Sequence, residues 1–121
     1  ITEIYQIFHD CGKPRCLEID DEGRRHFPNH AEVSYRTWLE HVGDETVANL
    51  MRWDMVLHTE TAAKIEARNF DIKDAMTLLV TAFAEIHANA EMFGGIDSVS
   101  FKQKWKKLDR RGKQLMRRYF A

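Results

Sequence analysis

An adjacent His9-Asp10 pair places a neutral imidazole nitrogen beside a hard anionic oxygen, and a second imidazole follows at His30. Divalent cations take such ligands together, so a histidine arriving from a new helix can share the ion of the dyad. Farther on, Asp54 and His58 fall one helical turn apart on a stripe with Val47, Leu50, Met51, Met55, Ala62 and Ile65. That stripe otherwise faces a core, and an ionised carboxylate is seldom left in a core without a cation or hydrogen bonds to compensate. The spacing therefore puts both Asp54 and His58 within reach of an ion, with a buried packing pair, Asp54 with His58 or with Arg36 or Arg52, as the alternative.

The run Phe8-His9-Asp10-Cys11-Gly12-Lys13-Pro14, the turn at Glu22-Gly23-Arg24 and the run His26-Phe27-Pro28-Asn29-His30-Ala31-Glu32-Val33-Ser34 occur in that order. Together they resemble the HD-domain superfamily of metal-dependent phosphohydrolases. The form is most similar to HD domains that accompany tRNA nucleotidyltransferases and related nucleic-acid-processing proteins, some from phages. The match covers residues 8–34, and the ordered set is far more specific than the dipeptide. The resemblance implies an HD-like helical bundle, catalysis assigned to Asp10 and Lys13, and a last acidic ligand from a late helix. Glu85 stands in that context, although the family usually has Asp there, and His87 is an equal occupant. Relatives also carry a histidine upstream of the dyad, and none precedes His9. The chain is then a fragment of a longer polypeptide, or its site lacks that ligand.

The elements that must position these groups are helical. Ile1, Ile4, Tyr5 and Phe8 recur at helical spacing, which predicts a helix ending near Gly12 with His9 and Asp10 in its last turn. Asp20-Asp21-Glu22-Gly23 predicts a short hairpin or loop between Arg15 and Phe27. Asn29 is placed to cap a helix from His30 to Gly43 carrying Val33, Thr37 and Trp38 on one face, and the stripe from Val47 to Ile65 reads as the next helix. Lys73 to Met92 is apolar almost all round and is expected to be the central helix, stopped by Gly94-Gly95. Asp97-Ser98 opens the last one, with a capping-box spacing at Ser100 and Gln103 and a break or kink expected at Gly112.

Nothing in the 121 residues asks for a second domain, so residues 1–121 are expected to form one all-α domain. The formal net charge is −1, which excludes a whole-molecule field that draws in nucleic acid. Locally the balance differs: nine of the eighteen Lys and Arg lie from Lys102 to Arg118. Cys11 and Cys16 read as reduced thiols, and neither a membrane span nor a leader pattern is visible, which predicts a cytoplasmic protein without membrane partners.

The leading expectation is a metal-dependent phosphohydrolase, a phosphomonoesterase or phosphodiesterase acting on a nucleotide or nucleic-acid phosphate. One or two divalent ions (Mn, Mg, Fe, Ni, Co or Zn) are expected among His9, Asp10, His30, Asp54, His58, Glu85 and His87. Lys13 is placed to neutralise phosphate charge. Two alternatives belong to other classes. One is a nucleic-acid-binding module without catalysis, gripping phosphates through Lys102, Lys104, Lys106, Lys107, Arg110 and Arg111, with Lys113, Arg117 and Arg118 continuing the row. The other is a di-iron oxygenase of the same superfamily. Metal content separates the three.

Overall fold

A computed structural model describes residues 2–120, and the apolar periodicity of 3.6 is realised almost throughout as helix. The fold is all-α with one short hairpin, as expected. Its contacts divide into two compact units, the first running to Met55 and the second from Val56 onward. No helix among the described residues is long and apolar enough to cross a membrane.

The first unit begins with α1 (Thr2–Phe8), whose Tyr5 is fully buried; Ile1, the head of the expected stripe, lies outside the described residues. The helix stops before the dyad. His9 and Asp10 occupy the turn that follows, and Lys13–Arg15 form a 3-10 turn around Pro14. A close approach explains the glycine in this loop: a Cβ on Gly12 would lie 2.4 Å from the Ser34 backbone nitrogen, and the Gly12 N–H donates to Ser34 Oγ at 3.0 Å. Only glycine lets the loop seat against α2 (His30–His41) in this way.

The hairpin forms where the turn residues place it. Strands β1 (Glu18–Ile19) and β2 (Arg25–His26) pair antiparallel, Glu18 opposite His26 and Ile19 opposite Arg25. Asp20 Oδ1 accepts from the Glu22 and Arg24 N–H groups, and Gly23 supplies the positive φ of +80°. Helix α2 starts at His30 and is ended by Gly43 at φ +79°, as the sequence predicts. The role of Asn29 differs from expectation. It sits at the N-cap with φ 54° and no side-chain cap bond, so its contribution is tolerance of the left-handed region rather than capping. Asp44 caps α3 (Glu45–Arg52) by accepting from Thr46 N at 3.1 Å, and Val47, Ala48, Leu50 and Met51 of that helix are fully buried.

The expected helix from Val47 to Ile65 is interrupted. The chain leaves α3 at Arg52, turns through residues 53–55, and continues as α4 (Val56–Thr59) and α5 (Ala62–Arg68). The Trp53 N–H bonds back to the Asn49 and Met51 carbonyls to close α3, and Thr61 accepts from Lys64 N to open α5. Asp54 and His58 therefore belong to different elements.

In the second unit, α6 (Ile72–Ala88) is opened by Asp71, which accepts from Lys73 N at 3.1 Å. It closes at Asn89 rather than continuing to Met92, and Ala90–Phe93 form a separate 3-10 turn. Ala75, Leu78, Ala82 and Ile86 are buried, whereas Met76 and Val80 are exposed; α6 has one buried face and is not enclosed all round. Helix α7 (Val99–Phe120) is capped by Ser98, whose Oγ accepts from Phe101 N at 3.1 Å, in place of the expected Ser100–Gln103 box. It is unbroken at Gly112. That residue serves contact instead, since a Cβ there would meet Leu79 Cδ2 of α6 at 3.1 Å.

Candidate metal centre

Three ligand-type side chains converge in the first unit. Asp10 from the turn after α1, His30 from the first turn of α2 and Asp54 from the turn after α3 offer ligand atoms that all lie within 4.8 Å of one another. His30 Nε2 is 4.0 Å from Asp10 Oδ1 and 4.0 Å from Asp54 Oδ2. Two atoms bound to one ion at about 2.1 Å each lie at most roughly 4.2 Å apart, so these gaps have the size of an ion and not of a hydrogen bond.

Each ring and carboxylate is held from behind. His30 Nδ1 lies 3.2 Å from the Phe27 carbonyl, which only accepts, so this nitrogen carries a proton and Nε2 is the ring atom turned toward the two carboxylates. Histidine ligands commonly donate their remote N–H to a backbone carbonyl in this manner. The side chain of Asp54 is only 4% exposed, its Oδ1 accepts from the fully buried Tyr5 hydroxyl at 2.6 Å, and its Oδ2 lies 4.0 Å from His30 Nε2. The arginines expected as packing partners for Asp54 are engaged elsewhere. Arg52 donates to both Glu32 oxygens at 3.1 and 3.2 Å, and Arg36 reaches Glu32 at 3.5 Å.

His9 flanks the site. Its Nδ1 lies 2.9 Å from the Gln6 carbonyl and its Nε2 3.2 Å from Asp10 Oδ2. With Nδ1 as the donor, that second contact is a hydrogen bond for a protonated ring; for a neutral ring two lone pairs meet, and a cation resolves them. Lys13 Nζ is 3.2 Å from the same Asp10 oxygen and 5.1 Å above the Phe27 ring. Burial works to raise the Asp10 carboxyl, but His9 and Lys13 prevail and hold it below the ordinary carboxylate value. Asp10 is accordingly ionised at neutral pH. The donor set of one imidazole and two carboxylates fits a hard or borderline divalent ion and selects none among Mn, Mg, Fe, Ni, Co and Zn. Cys11 takes no part: its thiol points to the Ser34 carbonyl at 3.6 Å, and burial pushes it up.

The remaining expected ligands lie in the second unit. His58 Nε2 and Glu85 Oε2 are 3.9 Å apart, from α4 and α6. Burial pushes the His58 imidazole down, Glu85 acts against that, and Lys104 and Lys107 reinforce it. His87, the alternative to Glu85, is exposed, with Nδ1 2.7 Å from the Phe83 carbonyl of its own helix. It joins no group of three ligand-type side chains among the described residues.

The basic row on α7 is not uniform. Lys107 donates to the His58 carbonyl, Arg118 to the Glu66 carbonyl and to Asn69 Oδ1, and Lys113 pairs with Asp109, so three of the nine cations are fastened within the unit. Lys104 lies 4.7 Å above the Phe93 ring. Lys107, Arg110 and Arg111 line a small cleft of about 170 Å³, whereas Lys102 and Lys106 are exposed. Sequence reasoning gave no site role to Tyr5, read only as a helix-face position, or to Ser34, read only as the end of the run that carries the resemblance. No family model, curated protein or solved structure matches the chain.

Proposed function

We propose that the chain is a divalent-metal-dependent phosphohydrolase of the HD type, acting on a phosphate ester of a nucleotide or nucleic acid. The observation that carries this reading is the convergence of Asp10, His30 and Asp54, with His30 Nε2 4.0 Å from an oxygen of each carboxylate while its Nδ1 is turned to the Phe27 carbonyl. A divalent ion bound there supplies an acidified water as nucleophile and polarises a phosphoryl oxygen. Asp10, His30 and Asp54 hold the ion, Tyr5 fixes the Asp54 carboxylate, and His9 orients Asp10. Lys13, partly exposed beside Asp10, meets the charge of the incoming phosphate.

Metal titration by calorimetry with Mn²⁺ and Zn²⁺, together with hydrolysis of p-nitrophenyl phosphate and bis-p-nitrophenyl phosphate, tests this reading. Asp10→Ala and Asp54→Asn are each expected to lose bound metal and hydrolysis while the helical circular-dichroism signal stays. Asn fills the space of Asp54 and still bonds to Tyr5, but lacks the charge a buried ion requires. Full metal occupancy in both variants rules the site out.

A further inference from the structure

The second unit holds a pocket of about 300 Å³ lined by His87 of α6, Ile96 of the following loop, and Phe101, Lys102, Trp105 and Lys106 of α7. Its chemistry is two-sided. Phe101 is buried and forms an aromatic floor, with the His87 ring standing edge-on to it at 5.2 Å and an interplanar angle of 81°. Trp105 is 39% exposed although its ring is braced edge-to-face by Phe83 at 5.9 Å. A braced indole that keeps a face in solvent is a rigid stacking platform.

The cationic side comes from the same helix. Lys102 and Lys106 are one turn apart and bracket Trp105, both are exposed, and neither has an ion-pair partner among the described residues. Residues four apart on a helix are neighbours, so two ammonium groups can converge on one anion. His87 adds a third polar group: with Nδ1 committed to the Phe83 carbonyl, Nε2 is its remaining hydrogen-bonding atom.

We infer that this pocket binds one nucleotide, its base stacked on Trp105 and its phosphate held by Lys102 and Lys106. An aromatic ring alone leaves the two ammonium groups unused, and an inorganic anion alone leaves the aromatic floor and Trp105 in water. A nucleoside phosphate satisfies both halves, and a volume near 300 Å³, at the lower end for small-molecule sites, suits one such unit. The nucleotide is either free or one residue of a single strand. The inference stands on α6, α7 and the loop between them, and is independent of the metal reading.

Calorimetric titration of the full chain in EDTA, which silences any metal-dependent turnover, with adenosine 5′-monophosphate, adenosine, inorganic phosphate and an oligothymidylate 12-mer tests it. The monophosphate is expected to bind at least about tenfold more tightly than adenosine or phosphate alone. Trp105→Ala and the double variant Lys102→Gln/Lys106→Gln are each expected to weaken it about tenfold or more, and Trp105→Phe to restore most of the loss. The lysine variant touches only exposed side chains, so it keeps the test sound if Trp105→Ala fails to fold. Binding of the 12-mer with the same variant sensitivity, in the absence of monophosphate binding, assigns the nucleotide to a strand. Absence of binding by both, equal binding of phosphate and monophosphate, or affinities unmoved by the substitutions overturns the proposal. So does preferential binding of a poly-glutamate peptide or of phosphatidylserine vesicles.

Discussion

Tyr5 is the residue on which the candidate centre depends without being a ligand. A fully buried phenol donating at 2.6 Å to a carboxylate 49 residues away fixes the orientation of the Asp54 carboxylate, and offsets part of the cost of burying that charge. Tyr5→Phe keeps the ring in the core and removes the bond. The expected result is a stability loss of about 1–3 kcal/mol by urea unfolding, with metal affinity falling roughly 10–100-fold by calorimetry. Lower stability with unchanged metal affinity would mean that the bond serves the core alone. Sequence carried the ligand-type residues of this site and not the side chains that brace them. His9-Asp10 and His30 are readable because they are close in the chain and framed by Gly, Pro and Asn. Asp54 is readable as a charge on an apolar stripe. The Tyr5 hydroxyl is not, since a tyrosine on a helical stripe looks the same whether or not its oxygen meets a distant partner. Ser34 escapes for the same reason: its hydroxyl meets the Gly12 N–H across 22 residues.

Among the elements, two helix starts that look alike in sequence work by different physics. Asp71 begins α6 with a side-chain bond to Lys73 N, whereas Asn29 begins α2 by adopting φ 54° without such a bond. Substitution to alanine destabilises both, by about 0.5–2 kcal/mol at Asp71 and about 1–2 kcal/mol at Asn29. The rescues separate them. Glycine at position 29 should restore stability because it accepts positive φ freely, while at position 71 serine or asparagine should restore it by replacing the acceptor. Chemical denaturation of the five variants measures this, and an Asn29→Gly loss equal to that of Asn29→Ala would refute the conformational role. Helix existence was legible from apolar period, and the hairpin from its Asp and Gly. The break at residues 53–55 was not, because no Gly or Pro marks it and the apolar spacing runs on through the turn. Thr61, which caps α5, signals only the later interruption after α4, and Thr is weaker than Asp as a cap.

For the whole chain, a formal net charge of −1 at pH 7 leaves no global field at neutrality, so local pairs set which carboxylates lose stability first as pH falls. Glu32 accepts twice from Arg52 in the first unit, and Glu60 twice from Arg68 in the second. In each case the arginine bonds prevail over slight burial and hold the carboxyl below its ordinary value. A folded-state pKa below the unfolded one means that the unfolded chain takes up the proton first. The contribution is therefore full above the unfolded pKa near 4.3 and is lost as pH falls through the folded value. Asp74 has the opposite sign. Burial, aided by the Asp71 charge, raises its carboxyl, so the folded state is favoured below the unfolded pKa and that advantage is lost as pH rises through the folded value. Glu32→Gln and Glu60→Gln should each cost about 0.2–1 kcal/mol at neutral pH, the range for partly exposed pairs, and progressively less as pH falls through the folded-state value. Asp74→Asn should instead stabilise at neutral pH, with the gain vanishing in acid. Urea unfolding across this range decides the matter, because a constant offset at every pH would assign the three effects to packing rather than to ionisation.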